Sequence, residues 1–268
     1  MPHTLLLPTA QGTLAPYTLR GNTPARPAPG MAFNRIAYSA AHVVADPLAT
    51  VDPWLTAAID WDTTIAYRRH LWSLGLGVAE AMDTAQRGMG LAWPTSLELI
   101  RRSLDAAKDF TAQGGTALVA SGCGTAHLDI DAVKTVDDVI RGYEEQMEAI
   151  EKLGGKLIVM ASRALARVAK SPADYERVYD RVLSQAKQPV VLHWLGDMFD
   201  PALAGYWGTK DVDAAMDTAL GIIAAHPAKV DGIKISLLDK DKEIAMRRRL
   251  APAVRMYTTS TSASGPLV

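Results

Sequence analysis

"PVVLHW" (189–194) and "VDGIKIS" (230–236) are two short apolar runs, and "DVDAAMDTALGIIAAH" (211–226) between them has the period of a helix. The two runs predict buried strands, and the segment between them predicts a helix with an acidic residue at its start. A strand, a helix and a second strand in this order form a β–α–β unit, whose strands lie parallel in one sheet. This stretch therefore predicts a parallel sheet covered by helices.

The same alternation extends along most of the chain. Strands are predicted at 33–40, 76–82, 116–121, 156–162, 189–194, 230–236 and 253–258. Helices are predicted at 60–75, 94–110, 135–155, 171–186, 211–226 and 240–251. No Gly-x-Gly-x-x-Gly pattern follows the first strand, so seven such strands favour a parallel (β/α)8-type TIM barrel over a doubly wound dinucleotide-binding fold.

The ends of the chain depart from this pattern. Residues 1–30 predict a β-hairpin around Gln11-Gly12 and a linker rich in proline and glycine, followed by the barrel at 31–258. Residues 259–268 are small and polar, which predicts a disordered tail. An eighth strand is not recognisable. We expect that the hairpin or a partner chain closes the barrel, or that the chain is short at its C-terminus relative to its relatives.

Composition excludes several classes of function. The chain has 268 residues, a formal net charge of −1 and 21% charged residues, which provides no electrostatic footprint for nucleic acid or an anionic membrane. No apolar run reaches the roughly 20 residues of a membrane span, and the N-terminus lacks the pattern of a signal peptide. A single cysteine, Cys123, excludes an internal disulfide framework. We expect a cytoplasmic protein.

Lys234 is a charged residue near the end of the predicted core strand "VDGIKIS", and the packing of a core strand does not require it. Successive side chains of a strand point to opposite faces. Every second residue from Val230 to Ser236, Lys234 included, is therefore predicted on one face, while Ile233 and Ile235 are on the other. If the isoleucines face the helices, Lys234 lies inside the barrel near its C-terminal end, where barrel enzymes carry their catalytic groups.

A lysine in a partly dry pocket can act as a nucleophile. Desolvation disfavours the ammonium form, and the free amine can attack a carbonyl group to form a Schiff base, as class I aldolases and lyases require. The other interpretation is a strand-end lysine whose ammonium group reaches solvent. The residues alone leave both interpretations open.

Other candidates lie at the ends of the predicted strands. His193 has an ordinary pKa near neutral pH and is a candidate general acid or base, or else a core histidine bonded to backbone. Arg163 is either a clamp for an anionic group or an exposed residue. The residues that we expect to bind the substrate are Asp83, Thr84, Gln86, Arg163, Trp194 and Ser236, with Trp207 as a further stacking candidate.

Evidence for other chemistry is weaker. Cys123 lacks a base at a defined spacing, so a packed thiol is the simpler interpretation. His127 and Asp129 could be two metal ligands, but no third ligand accompanies them. We therefore predict no metal site and no cofactor.

The "GIKIS" segment (232–236) resembles the sixth-strand "GIKxS"-type motif of the dihydrodipicolinate synthase/N-acetylneuraminate lyase superfamily, whose members are class I aldolases. The resemblance runs in order from about residue 35 to residue 257, and 58–75 is similar to the family's first helix. It is greatest to a divergent bacterial branch described only as "dihydrodipicolinate synthase family protein". It implies a TIM barrel in which Lys234 forms the Schiff base.

The chain departs from the family's pattern at three places. Residues 80–93 occupy the position of the "GTTGE" loop, whose paired threonines hold a carboxylate, and only Thr84 matches them. Ser162 and Arg163 stand where the family has a proton-relaying tyrosine, and His193 precedes Trp194 where relatives have a Tyr-Asn-type pair. The resemblance therefore implies that His193 or Ser162 assists proton transfer.

The sequence predicts a Schiff-base-forming class I lyase or aldolase, a homo-oligomer that acts on a small keto acid or keto sugar. One alternative is a metal-dependent sugar isomerase or epimerase on the same fold, which would use Asp83, His193 and His127. Another is an inactive barrel that serves as a binding subunit.

Overall fold

The described part of the chain forms two compact units. A computed structural model of the protein describes residues 4–19, 35–52, 55–88 and 90–258. The units divide between Phe33 and Asn34. The predicted linker and the predicted disordered tail at 259–268 lie outside the described residues.

The first unit contains the predicted hairpin, which the structure confirms. Its strands β1 (Thr4–Pro8) and β2 (Leu14–Thr18) pair antiparallel, with Leu6 opposite Pro16. Gly12 in the connecting turn has a φ of 74°, a backbone conformation that glycine adopts without strain.

The second unit is a parallel barrel. Its seven strands are β3 (Tyr38–Ala40), β4 (Gly77–Glu80), β5 (Val119–Cys123), β6 (Lys156–Met160), β7 (Val190–Leu195), β8 (Val230–Ser236) and β9 (Arg255–Thr258). Its helices are α1 (Trp61–Ser73), α2 (Trp93–Ala112), α3 (Val136–Lys152), α4 (Arg163–Val168), α5 (Pro172–Gln185), α6 (Val212–Ala225) and α7 (Lys240–Arg249). None of the helices in the described ranges is long and apolar enough to cross a membrane.

The sheet follows chain order, from β3 through to β9, and every neighbouring pair is parallel. The two edge strands approach each other through the rings of Tyr38 and Tyr257, whose centroids are 6.0 Å apart. The predicted (β/α)8-type barrel is thus confirmed, with seven strands among the described residues. Sequential order is what short right-handed β–α–β connections produce.

Local signals in the sequence set the helix starts. Thr135 and Asp138 form a capping box at the start of α3, and Ser171 and Asp174 form another at α5. The short α4 was not predicted because six residues are too few to show a helical period. Its N-cap is the Ser162 side chain, which accepts a hydrogen bond from the Leu165 backbone N–H at 3.0 Å.

The strands present two different faces. The inner face is a small apolar cluster that includes Ala79, Ala120, Ile158, Met160 and Val191. The outer face belongs to the large core between the sheet and the helices, to which β6, β7 and β8 contribute Val159, Leu192, Ile233 and Ile235. The isoleucines thus face the helices, as the alternation of β8 predicts.

One prediction about β8 was wrong. Val190 pairs with Val230 but Val191 pairs with Gly232, so Asp231 is the extra residue of a β-bulge. The bulge moves Val230 to the outer face, where it joins the large core instead of sharing a face with Lys234.

Asp231 pairs with two basic side chains at the N-terminal end of the barrel. Its carboxylate contacts Lys156 of β6 at 3.2 Å and pairs with Arg255 of β9, and the Tyr257 hydroxyl donates to it at 3.1 Å. These groups line a cavity of about 620 Å³ at that end. The charged strand residues at this end are thus paired with one another.

A buried ion pair joins β4 to α1. Arg68 and Glu80 are both fully buried, and the Nη2 and Nε atoms of the arginine each lie 2.9 Å from a carboxylate oxygen. Glu80 also accepts hydrogen bonds from the Ser103 hydroxyl and the Ala81 backbone N–H. Removing one partner of such a pair leaves an uncompensated buried charge, which costs about 3–5 kcal/mol.

We therefore expect Arg68→Met to lower the free energy of unfolding by about 3–5 kcal/mol. Arg69→Met on the same helix is the control, because Arg69 is about one-third exposed and pairs with exposed Asp109 at 3.6 Å. It should cost no more than about 1 kcal/mol. Urea unfolding of both variants measures the difference, and equal losses would contradict the assignment of the buried pair.

Candidate active site

His193 and Lys234 lie side by side inside the barrel. They are register partners on the parallel strands β7 and β8, and the preceding inner-face pair is Val191 and Gly232. Since register partners share a face, both side chains point inward, one step further toward the C-terminal end. Leu195 and Ser236 form the next pair on that face.

The Lys234 amine has two polar contacts. Its Nζ atom lies 3.1 Å from Nε2 of His193, and it donates a hydrogen bond to the Ser236 hydroxyl at 2.9 Å. Burial lowers the pKa of Lys234 below its ordinary value, and the Asp83 and Glu243 carboxylates oppose that shift. The amine is therefore easier to deprotonate than one in water.

His193 is held as a neutral ring. It is 1% exposed, and burial, reinforced by the nearby charge of Lys234, keeps its pKa well below the ordinary value. Its Nδ1 atom has no hydrogen-bond partner among the described residues. The Lys234 ammonium donates to Nε2 of the neutral ring, and transfer of that proton leaves a neutral amine beside an imidazolium, whose Nε2–H can return it. The pair can therefore exchange one proton across the 3.1 Å contact.

A cavity of about 440 Å³ opens at the C-terminal end of the barrel and reaches Leu195, the next inner-face residue of β7 after His193. Its lining includes Asp83, Arg87, Thr125, Arg163 and Asp200. Lys234 does not line the cavity. Asp83 does line it, and its carboxylate interacts electrostatically with the Lys234 amine. Burial raises the pKa of Asp83, while the charges of Lys234 and Arg87 oppose that increase.

Ser162 caps the helix α4 and does not line the cavity, whereas Arg163 lines it. The Ser162 hydroxyl lies 2.6 Å from the Thr125 hydroxyl and caps α4, so its hydrogen-bonding capacity is largely used. Arg163 is on the cavity wall and donates to Asp200 at 2.5 Å, which holds its guanidinium at the mouth.

The structure does not bring every predicted residue to this site. Thr84 and Gln86 are exposed in and after a short 3-10 turn that begins at Asp83, and neither lines the cavity. Trp194 is on the outer face of β7, where it is buried and packs edge-on against Trp207, ring centroids 6.0 Å apart. The stacking role predicted for these two tryptophans was wrong: the alternation that turns His193 inward turns Trp194 outward, and Trp207 is fully buried in the same core.

Cys123 and His127 serve the packing around the site. Cys123 is buried, and burial raises the pKa of its thiol to about 12, which disfavours a nucleophilic thiolate. His127 contacts Gln146 and Glu145 through its two ring nitrogens. Within the described ranges, no three side chains of the His, Cys, Asp or Glu type come together as a metal site.

Sequence reasoning missed two side chains that matter here. Arg87 is buried and lines the cavity, although it follows the predicted strand end by only a few residues. Gln146 is fully buried on α3 and contacts it. A signal existed for Gln146, since it lies on the helical face that carries apolar Tyr143, Met147 and Ile150.

A family model described as "Protein of unknown function (DUF993)" matches residues 5–262. The chain belongs to this family. No curated protein matches its sequence.

Three solved structures are similar to the DUF993 chain. A 2-keto 3-deoxygluconate aldolase from Picrophilus torridus has a TM-score of 0.52 at 14% identity, covering 81% of this chain and 65% of that one. A dihydrodipicolinate synthase from Agrobacterium tumefaciens str. C58 has a TM-score of 0.52 at 16% identity, covering 84% and 66%. The dihydrodipicolinate synthase from Oceanobacillus iheyensis has a TM-score of 0.49 at 14% identity, covering 82% and 59%.

The chain spans 59–66% of the length of these three proteins. At such identities, the first two likenesses support the barrel fold alone.

The neutral state of His193 has a consequence for stability. The unfolded chain binds a proton at this ring below about pH 6.5, whereas the folded chain does not, so stability decreases as the pH falls below that value. We expect the wild-type protein to lose about 1.4 kcal/mol more than His193→Asn between about pH 7.5 and about pH 5.5.

Urea unfolding over this pH range measures the difference. His70→Asn, at an exposed position of α1, controls for the loss of a histidine as such. Parallel pH profiles for the wild type and His193→Asn would show that the folded protein protonates this ring as readily as the unfolded chain does.

Proposed function

We propose that the protein is a Schiff-base-forming class I lyase or aldolase that acts on a small keto acid or keto sugar, with Lys234 as the reacting amine. One observation carries this proposal. The Lys234 Nζ atom lies inside the barrel at its C-terminal end, between Nε2 of His193 and the Ser236 hydroxyl, where burial lowers its pKa.

The first step needs a neutral amine and a group that moves protons. The amine nitrogen bonds to the carbonyl carbon, and His193 accepts a proton from that nitrogen through Nε2. The carbonyl oxygen leaves as water, with one proton from the amine and a second from the medium. The resulting iminium keeps one N–H and carries the positive charge.

The iminium then makes carbon–carbon cleavage possible. It withdraws the electron pair of the neighbouring carbon–carbon bond, which leaves an enamine and a carbonyl product. Protonation of the enamine carbon and hydrolysis of the iminium release the second product and restore the amine. In this proposal Asp83, which lines the cavity wall, orients a substrate hydroxyl, and its raised pKa suits proton donation.

The structural likenesses support the same class of reaction. The two neighbours with TM-scores of 0.52 are named an aldolase and a synthase of the superfamily that the "GIKIS" segment resembles. We propose that DUF993 is a divergent branch of that superfamily and that its members assemble as homo-oligomers. The contacts of Ser162 favour a positioning role over proton transfer.

Borohydride reduction tests the Schiff base directly. Incubation with pyruvate, larger 2-keto acids or keto sugars followed by reduction should attach the reduced carbon skeleton to the peptide that contains Lys234, because borohydride makes the C–N bond permanent. Mass spectrometry of a protease digest locates the adduct. Lys234→Met should abolish it.

Lys156→Met is the matched control, since Lys156 is another lysine on a barrel strand but lies at the N-terminal end beside Asp231. This variant should retain the adduct on Lys234. Absence of an adduct with every carbonyl compound would overturn the proposal. Turnover that a chelator stops and Lys234→Met leaves intact would favour the isomerase instead, and ligand binding without turnover would favour a binding subunit.

A further inference from the structure

Arg87 is a buried cation without a carboxylate partner. It is 6% exposed, and no Asp or Glu oxygen of the described residues lies within ion-pair distance of its guanidinium. Burial lowers the pKa of Arg87 to about 10, and Asp83 opposes that shift from a greater distance. An arginine at this pKa stays charged at neutral pH, so an uncompensated charge lies in the wall of the cavity.

The surroundings hold this guanidinium in place without neutralising it. Nη1 donates to the backbone carbonyls of Gly122 and Ala81, and Nη2 donates to Oε1 of Gln146. The ring of Trp93 covers one side at 5.0 Å from its centroid. All of these partners are uncharged.

Gly122 makes room for the group. A Cβ atom at this inner-face position would come within 3.1 Å of Nη1 and within 2.7 Å of the Ala81 carbonyl oxygen. The guanidinium therefore occupies space inside the mouth of the barrel that a side chain on β5 would otherwise fill.

The Gln146 amide is itself oriented by a chain of hydrogen bonds. Its Oε1 atom accepts from Arg87 and from the Gly124 backbone N–H at 2.8 Å, so its Nε2 group donates to Nδ1 of His127 at 2.7 Å. His127 in turn donates from Nε2 to Glu145 at 2.9 Å. Because Nε2 of Gln146 donates to His127, the uncharged oxygen Oε1 of Gln146 is the atom that faces Arg87.

The guanidinium retains donors. Of its five N–H bonds, three have acceptors, and Nε–H and one N–H on Nη2 have none among the residues that the structure describes. Nε and Nη2 form one edge of the planar group, the edge that can bind a carboxylate through two parallel hydrogen bonds. Arg163, the other arginine on the cavity wall, already has Asp200 as its partner.

We infer that Arg87 is an anion-binding residue of the cavity and holds the carboxylate of the substrate, with Gln146 as the residue that positions it. This inference rests on the proposed function, because it selects acids over neutral carbonyl compounds as the substrates of Lys234. Charge-assisted hydrogen bonds contribute about 1.5–3 kcal/mol each, so an isosteric neutral compound should bind at least about 10-fold more weakly.

Trapping with pyruvate and with its neutral amide, pyruvamide, tests the inference. At limiting concentration, the wild type should form the pyruvate adduct at least about 10-fold faster than the pyruvamide adduct. Arg87→Gln should remove this preference by slowing the pyruvate reaction about 10-fold or more, with little effect on pyruvamide. Arg101→Gln, on the exposed side of α2, is the matched control and should keep the preference.

Gln146→Glu tests the positioning role while retaining the shape of the side chain. The new carboxylate would pair with Arg87, so the preference for pyruvate should fall while the melting temperature holds. Gln113→Glu at the exposed end of α2 should change neither quantity. An unchanged preference in a folded Arg87→Gln or Gln146→Glu protein overturns the inference, although adducts on Lys234 would still support the proposed function.

A second readout does not depend on the Schiff base. The Nε resonance of Arg87, assigned by its loss in Arg87→Gln, should shift with acetate and not with acetamide. If no keto acid, keto sugar or amide probe forms an adduct but this shift occurs, the anion site stands and the proposed lyase function fails. If acetate leaves the resonance in place, the inference is wrong.

Discussion

The contact between Nζ of Lys234 and Nε2 of His193 depends on the period of two along a β-strand. Ile233 and Ile235 are fully buried against the helices, and Leu192 and Trp194 play the same part on β7. Burial of each such side chain contributes roughly 1.5–3 kcal/mol, which offsets the cost of desolvating one amine and one ring. The apolar residues of the outer face thus hold two polar groups on the inner face, in register and 3.1 Å apart.

The two buried arginines Arg68 and Arg87 differ in whether a carboxylate neutralises the guanidinium. Arg68 is on the outer side of the sheet, where Glu80 neutralises it and completes a satisfied network between β4 and α1. Arg87 is at the mouth of the barrel, where its hydrogen-bond acceptors among the described residues are all neutral. The first arrangement stabilises the fold and leaves nothing for a ligand to bind. The second keeps charge and donors available beside a cavity.

Stabilising contacts lie at the N-terminal end of the barrel, and the cavity of the candidate site lies at the C-terminal end. At the N-terminal end, Asp231 joins β6 to β9 through Lys156 and Arg255, and the rings of Tyr38 and Tyr257 meet between the edge strands. At the C-terminal end, loops after the strands bring Asp83, Arg87 and Arg163 around one cavity. This division is usual for parallel barrels, in which one end carries stability and the other carries chemistry.

The parallel barrel and the face that carries Lys234 could be predicted from the chain alone, because strand–helix alternation and the side-chain period are local properties. The sequence also indicated His193, since this polar residue lies near the end of the predicted strand at 189–194, at the same end of the barrel as Lys234. The bulge at Asp231 and the contact between Arg87 and Gln146, 59 positions apart in the chain, emerge from the three-dimensional structure alone. These outcomes depend on the register between strands and on contacts between distant segments, which no local pattern encodes.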